Sequence, residues 1–405
     1  MKYLVILADG MAGLPIDSLG GKTTIQAANK SALDKLATLG RTGLLHTVPP
    51  TYEPGSEVAN LAVMGYDLDL VFEGRGSLEA ASMGVDIEDG EMAMRCNLIT
   101  LDKDGLILNH SAGHISTEEA KVLIDDLQQE LADDRIFLFA GVSYRNLLKL
   151  KGGNKALKCT PPHDVPGTHF SEVMMTATAP EAEQTAKLLN EITLRSQTFL
   201  ADHPINKQRI ADGKEPANSI WLWSPGYKPA MQTLSEKYGI ASGSVISAVD
   251  LIRGIGVYAG LKVIEVEGAT GLHDTNYEGK SAAAIEALKT DDYVYLHIEA
   301  SDEAGHEGDA ELKIRTVEYL NDRVVAPIME AVKSIDDDVT IALLPDHPTP
   351  CCLRTHTREA IPFVIYNPLI EGDSVTTYDE YSVIQGHYGE LHGEEFMDAL
   401  LNKLK

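Results

Sequence analysis

The chain is short of cysteine, of basic charge and of long apolar runs, and each shortage removes a class of protein. Its four cysteines, Cys96, Cys159, Cys351 and Cys352, show no C-x-x-C spacing, and two of them are adjacent. No disulfide network is expected from that pattern, and a reducing, cytoplasmic setting fits it best. Lys and Arg total 34 against 61 Asp and Glu, a formal net charge of −27. Such a balance excludes a basic surface for nucleic-acid backbones or anionic membranes, while making divalent cations easy to recruit. No apolar stretch reaches membrane-spanning length. The opening MKYLVILADG meets an acid at Asp9, so it reads as a first strand and not as a signal peptide. Internal repeats and low-complexity tracts are also missing. With 44% apolar residues and no excess of Gly or Pro, the 405 residues should fold throughout. That length suits two domains, or one large domain carrying an insertion.

What is there is βα alternation at both ends. Residues 3–8 predict a strand and 32–39 a helix that stops at Gly40. Further on, helices are expected near 247–260, 280–289 and 310–333, with strands at 262–267, 293–300 and 339–344. This pattern predicts an α/β fold whose sheet is largely parallel and covered by helices on both faces. The middle differs in texture. Short apolar segments such as 92–100 and 135–140 are separated by charged or Gly/Pro-rich stretches such as 151–154 and 161–167. The expected division is a first part of the main domain at 1–85, an inserted smaller α+β domain at 86–216, and the second part at 217–405.

Three of the predicted strands end in an acid: Asp9, Asp302 and Asp346. Functional groups of open α/β sheets gather at the carboxyl ends of strands. Asp302 is followed four residues later by His306, a spacing that puts both side chains on one helical face. Asp346 is adjacent to His347, between an apolar strand and a turn stiffened by Pro348 and Pro350, and His356 follows. A loop acid beside an unrelated surface histidine explains Asp302 and His306 taken alone, whereas Asp346-His347 followed by His356 looks positioned. Three acids and three histidines in this setting point instead to a metal site.

A nucleophile is expected nearby, at Ser56 in Tyr52-Glu-Pro-Gly-Ser-Glu-Val-Ala-Asn60. Pro54 and Gly55 form a turn, and Ser56 opens a helix whose N-terminal N–H groups favour an alkoxide and an incoming phosphate. A plain N-cap serine is the alternative reading. Asp9, Asp302, Asp346 and a Ser56 alkoxide carry four negative charges, matching two divalent ions. The expected split puts Asp9, Ser56, Asp346 and His347 on one ion and Asp302, His306 and His356 on the other. Two look-alike motifs fail. Gly20-Gly-Lys-Thr23 lacks the leading glycine of a phosphate-binding loop, and Gly254-Ile-Gly256 lies inside a helical pattern that precedes its strand.

Together with Glu73-Gly-Arg-Gly-Ser-Leu-Glu-Ala80, Gly268-Ala-Thr-Gly271 and Asp274-Thr-Asn-Tyr-Glu-Gly-Lys280, these segments resemble the archaeal-type 2,3-bisphosphoglycerate-independent phosphoglycerate mutases. That family belongs to the alkaline phosphatase superfamily, and the resemblance runs along essentially the whole chain. It implies an alkaline-phosphatase-like domain with an inserted substrate domain, and two Mn²⁺-like ions with Zn²⁺ or Mg²⁺ as alternatives. It further implies a phosphoserine at Ser56, a small phosphorylated or hydroxylated metabolite as substrate, and no need for 2,3-bisphosphoglycerate. A homo-oligomer is compatible with it.

The departures concern the substrate. Where the mutase pattern expects Asp-Arg-x-Ala-Gly-Arg-Ile, the chain has Asn109-His110-Ser-Ala-Gly-His114-Ile115. Arginine forks match carboxylate and phosphate bidentately, and histidine does not. Pro348 likewise replaces an expected small polar residue. Both features resemble a subfamily proposed to act as a homoserine kinase with a nucleotide donor. Arg75, Arg95, Arg145, Arg209 and Lys280 remain as anion-holding candidates, each with an ordinary surface or interdomain charge as its alternative.

Overall fold

The computed structural model describes residues 1–131 and 133–404, which divide into two compact units. The first comprises residues 1–72 and 230–405, and the second Glu73–Pro229. The sequence expectation of an insert at 86–216 falls within the second unit, which begins earlier and ends later. The reason lies at its borders. The helix Arg75–Ser82 and the strand Ser219–Gly226 both pack with the strand Glu91–Leu101.

The first unit is built on an eight-stranded sheet. Its centre is Lys2–Ala8, flanked by Tyr293–Ile298 on one side and Val339–Leu344 on the other, all parallel. Gly243–Ile246 and Lys262–Val263 extend one wing. Ile361–Tyr366, Arg41–His46 and Gly389–His392 form the other, and only Ile361–Tyr366 runs against the rest. Central strands covered on both faces need apolar residues at every position, which explains runs such as Leu4-Val-Ile-Leu-Ala8. Leu4, Ile6 and Ala8 join one core with Leu33, Leu36, Ala284, Val317 and Val324 from three helices. Val5 and Leu7, pointing the other way, are equally buried.

Most elements fall where their patterns predict, with two instructive differences. The strand expected at 262–267 pairs only through Lys262–Val263, because its neighbour is four residues long and the chain then turns away. The helix expected at 310–333 is continuous but widens into a π-turn at Asn321–Val325. Pro327 follows one residue later and has no N–H to give the carbonyl four residues back, so the helix must loosen there. Asn321 uses the loosened turn: its side-chain oxygen accepts from the backbone of Ala32 and Leu33, capping a helix whose own N-cap residue offers no side-chain bond.

In the second unit Glu91–Leu101 is the spine of an antiparallel sheet, paired with Arg145–Lys151 and Ser219–Gly226. Met92, Met94, Cys96 and Leu98 pack against Leu123, Leu127, Leu189 and Ile192 from two long helices. All four cysteines of the chain are free. Among the described residues no helix is long and apolar enough to cross a membrane.

Candidate active site

The parallel order of the three central strands decides where the chemistry collects. Lys2–Ala8 lies between its two neighbours in register, with Ala8 beside Ile298 and Leu7 beside Leu344. Asp9 therefore emerges at the same edge as Asp302 and Asp346. Asp302 and His306 share one face of the helix Ala300–Glu307, and their side chains meet at 3.2 Å. Arg41–His46 also exits at this edge and leads to the helix Ser56–Val63. Its N-cap is Gly55, so Ser56 is the first helical residue and not a capping serine. The Ser56 hydroxyl faces His347 Nε2 at 3.2 Å.

Hydrogen-bond bookkeeping fixes which imidazole nitrogens are open. Carbonyls only accept, so His306 Nδ1 donates to Arg354 O (3.1 Å) and His356 Nδ1 to Pro54 O (3.3 Å). That leaves the two Nε2 atoms facing each other at 2.9 Å, with Asp302 oxygens 3.2 and 3.4 Å away. Thr349 gives its single hydroxyl hydrogen to Asp302 Oδ1 (2.5 Å), so it accepts from His347 Nδ1 at 3.3 Å. His347 Nε2 is then open toward Ser56, toward Asp346 Oδ2 (3.5 Å) and toward Asp9 Oδ1 (3.7 Å). Backing each ligating nitrogen with a second acceptor is how proteins orient metal-binding histidines.

The donor set fits divalent cations. Asp9 is fully buried, and its Oδ1 has no hydrogen-bond partner. Donor atoms of Asp9, Asp346 and His347 lie within 4.8 Å of one another, as do those of Asp302, His347 and His356. His347 thus stands between the two groups, and His306 closes on the second through Asp302 and His356. Asp346 is held in place by Gly10 N, His347 N and Asn60 Nδ2.

Electrostatics agree. Burial, reinforced by the carboxylates of Asp346, Glu299 and Asp302, raises the Asp9 pKa well above the usual carboxylate range. Burial would raise Asp302 as well, but hydrogen bonds from His306 and His356 overcome it and hold that pKa well below its usual value. The Asp302 hydrogen bond pushes His306 up to about 9. A proton therefore occupies the metal-free pair at neutral pH, stabilising the fold below pH 6.5 and losing that effect as pH rises through about 9. A metal ion must expel it. Uptake of a divalent cation by chelator-stripped protein at pH 7 is expected to release at least one proton, and affinity should rise at least roughly tenfold per pH unit until about pH 9. Titration calorimetry in two buffers of different ionisation heat measures this. Equal heats in both would contradict it.

Several residues here were not singled out in the sequence. His297 and Glu299 precede Asp302 on the same segment, His297 near the end of the strand Tyr293–Ile298 and Glu299 as the N-cap of the helix Ala300–Glu307. His297 is fully buried, lies 2.9 Å from Asp9 Oδ2, and is pushed by burial down to about 3, so it is a neutral donor that orients Asp9. Lys280, an anion-holding candidate of the sequence, is also fully buried and donates to the His297 carbonyl at 3.1 Å; burial lowers its pKa to about 8, with Glu299 opposing. Asn60 is one turn from Ser56, a spacing that was legible, whereas Thr349 carried no sequence signal.

In the second unit the other candidates divide. Arg95 lies over the Trp223 ring (4.4 Å) and 3.2 Å from Glu79, and His163 packs edge-on against the same ring. His110, His114 and Arg145 all contact the Tyr144 ring. Arg75 opens the helix Arg75–Ser82, with its backbone N bonded to Ser224 Oγ. Its charge and that of Arg95 both act on His163. Burial lowers the pKa of His110, helped by His114, and also lowers that of His163. Arg209 is different. Its guanidinium is buried and engaged by Glu119, Glu215 O and Ala112 O. It clamps a loop in which Ala112, Gly113 and His114 all adopt positive φ.

Residues 37–206 match the family model described as 2,3-bisphosphoglycerate-independent phosphoglycerate mutase. A relative from Methanosarcina mazei bearing that name is 48% identical over 99% of this chain and its own full length. A Geobacter sulfurreducens relative, named a probable enzyme of the same kind, is 46% identical over the full length of both. Among solved structures, a Pyrococcus horikoshii protein aligns over 100% of this chain and 98% of its own with a TM-score of 0.83 and 27% identity. A cofactor-independent phosphoglycerate mutase from Thermoplasma acidophilum aligns over 99% of both chains with a TM-score of 0.69 and 26% identity.

Proposed function

Because the chain belongs to the 2,3-bisphosphoglycerate-independent phosphoglycerate mutase family, we propose that it interconverts 2- and 3-phosphoglycerate through a phosphoserine at Ser56, using two divalent cations, in the cytoplasm. The observation that carries this reading is the Ser56 hydroxyl at a helix N-terminus, 3.2 Å from His347 Nε2 and within a knot of three buried acids.

Asp9, Ser56, Asp346 and His347 would hold one cation, and Asp302, His306 and His356 the other. Two such ions, Mn²⁺-like in their ligand preference, would lower the serine pKa and stabilise charge on the phosphoryl oxygens. The residues do the rest. Ser56 Oγ attacks phosphorus in line after giving its proton to solvent, the bond from phosphorus to the alcohol oxygen of glycerate breaks, and that oxygen takes up a proton from solvent. The first-turn N–H groups of the Ser56 helix point at the transferred group, whose reaction needs positioning and charge stabilisation above all. The other hydroxyl of glycerate then takes the phosphoryl group back from Ser56. Lys280 carries a buried positive charge beside His297, suited to an anion. Within the second unit Arg75, Arg95 and Arg145 supply positive charge and His110, His114 and His163 hydrogen bonds suited to the carboxylate of phosphoglycerate, and Arg209 shapes the loop of His114.

The test is direct: purified protein with Mn²⁺ and 3-phosphoglycerate, free of bisphosphoglycerate, should form 2-phosphoglycerate, read by phosphorus NMR. His110 and His114, standing where the mutase pattern has arginines, favour a second reading as a homoserine kinase. Phosphohomoserine from homoserine plus ATP, with no turnover of phosphoglycerate, would establish that one.

His110 gives the mutase reading a pH signature. Burial holds its imidazole below the usual pKa, so it is charged only in acid, and KM for phosphoglycerate should rise as pH increases from about 5.5 to 7.5. Replacing both, His110→Arg and His114→Arg, should flatten that dependence and lower KM roughly tenfold at pH 7.5, the scale of one charge-assisted hydrogen bond. An unaltered KM profile would remove these two residues from the substrate site.

A further inference from the structure

Lys313 is fully buried, yet forms no ion pair among the described residues. It stands on the helix Ala310–Leu320, which Asp309 caps by accepting from Leu312 N. Its ammonium has three donors and meets three backbone carbonyls: Gly10 O at 2.7 Å, Ala12 O at 3.0 Å and Thr349 O at 2.7 Å. No other side chain offers three hydrogens from one compact centre, so the inventory is used in full. The three acceptors belong to the two loops that follow Asp9 and His347.

Those loops are locked to each other and to Asp302 at very short range. Thr349 N donates to Ala12 O, and Thr349 Oγ1 donates to Asp302 Oδ1 while backing His347 Nδ1. A Cβ on Gly10, itself at φ +59°, would stand 2.5 Å from Asp302 Oδ1 and 2.6 Å from Thr349 Oγ1. The segment carrying Asp302 and His306 runs on through Gly308 into the helix of Lys313. One ammonium therefore ties together the backbones that aim Asp9, Asp302 and His347.

We propose that Lys313 is a positioning residue of the metal centre, setting the spacing of Asp9, Asp302 and His347 through the carbonyls of Gly10, Ala12 and Thr349. This rests on the two-cation reading of the site and adds a residue that touches neither cation nor substrate. Lys313→Met keeps the chain length and removes the donors, leaving three buried carbonyls turned toward one another. The loops then relax apart, and ligand geometry is lost at both cation positions.

The experiment titrates chelator-stripped, full-length protein with Mn²⁺ alone by calorimetry, and separately measures kcat and KM at saturating Mn²⁺. Lys313→Met should bind Mn²⁺ about 30-fold more weakly, within the range for residues that support metal ligands. Its kcat should fall by a similar factor with KM within about twofold, since it does not meet the substrate. Lys2→Met is the control. Lys2 is buried at the other end of the Asp9 strand, where it donates to Asp291 O. That variant should lose melting temperature and keep its Mn²⁺ affinity. Lys313→Gln, with two donors, should fall between Met and wild type and decides the matter where Lys313→Met does not fold. Wild-type Mn²⁺ affinity and kcat in a folded Lys313 variant, or failure of both variants to fold, would overturn the positioning role alone. Wild-type protein that takes up no Mn²⁺ would overturn the two-cation reading with it.

Discussion

Ser56→Ala is expected to abolish phosphoryl transfer, lowering kcat by about 10⁴-fold or more, while the protein stays folded. Among the described residues it is the Ser56 hydroxyl that faces His347 Nε2, whereas that of Thr349 faces Nδ1. Ser56 is the first residue of its helix, its oxygen is half-buried beside His347 Nε2, and its carbonyl is fixed by Asn60 Nδ2 at 2.8 Å. Removing one oxygen leaves Asp9, Asp302, Asp346 and the histidines where they are. Mn²⁺ uptake should therefore survive, weakened about tenfold by loss of one ligand. Intact-mass spectrometry after brief exposure to substrate at low pH should show one added phosphoryl group on wild type and none on the variant. Turnover within tenfold of wild type would mean that another group carries the phosphoryl.

The candidate site was legible because its residues sit where periodic elements stop. Asp9, Asp302 and Asp346 each close an apolar run, and parallel strands bring such ends together without any further information. Asp302 with His306, and Ser56 with Asn60, follow helical spacing, which is equally local. What sequence could not reveal depends on registers between distant segments. Thr349 matters because its hydroxyl spans from Asp302 to His347, and Lys313 because its ammonium finds three carbonyls from two other loops. A threonine in a loop and a lysine on an amphipathic helix look ordinary in isolation. His297 is intermediate: as a histidine inside an otherwise apolar strand it was visible, yet a satisfied core histidine reads the same way until Asp9 is found 2.9 Å away. The division of the chain shows the same limit. The texture change near residue 86 marks where the middle sheet begins. The helix Arg75–Ser82 belongs with that sheet only through packing that no local pattern announces.

Asp9→Asn should move stability and activity in opposite directions. In the metal-free protein Asp9 is fully buried, its Oδ1 lacks a partner, and Asp346, Glu299 and Asp302 disfavour its charge. A carboxyl whose folded pKa is raised weakens the fold as pH rises above its unfolded value, because the native state must either bear the buried charge or keep a proton that water would take. Asparagine removes that penalty at nearly constant volume, and its oxygen can still accept from His297 Nε2. The metal-free variant should therefore melt a few degrees higher at pH 7.5, on the order of 1–2 kcal/mol for relief of one unpaired buried group. Lowering the pH to 5 should shrink the difference, since protonation gives the wild type the same relief. The same oxygen that costs stability when bare is one that a cation would use. Mn²⁺ affinity should accordingly fall at least about 100-fold and kcat/KM at least about 1,000-fold, and added Mn²⁺ should raise the melting temperature of wild type but not of the variant. A variant less stable than wild type without metal, or one still stabilised by Mn²⁺, would show that Asp9 is held by the fold and not reserved for a cation.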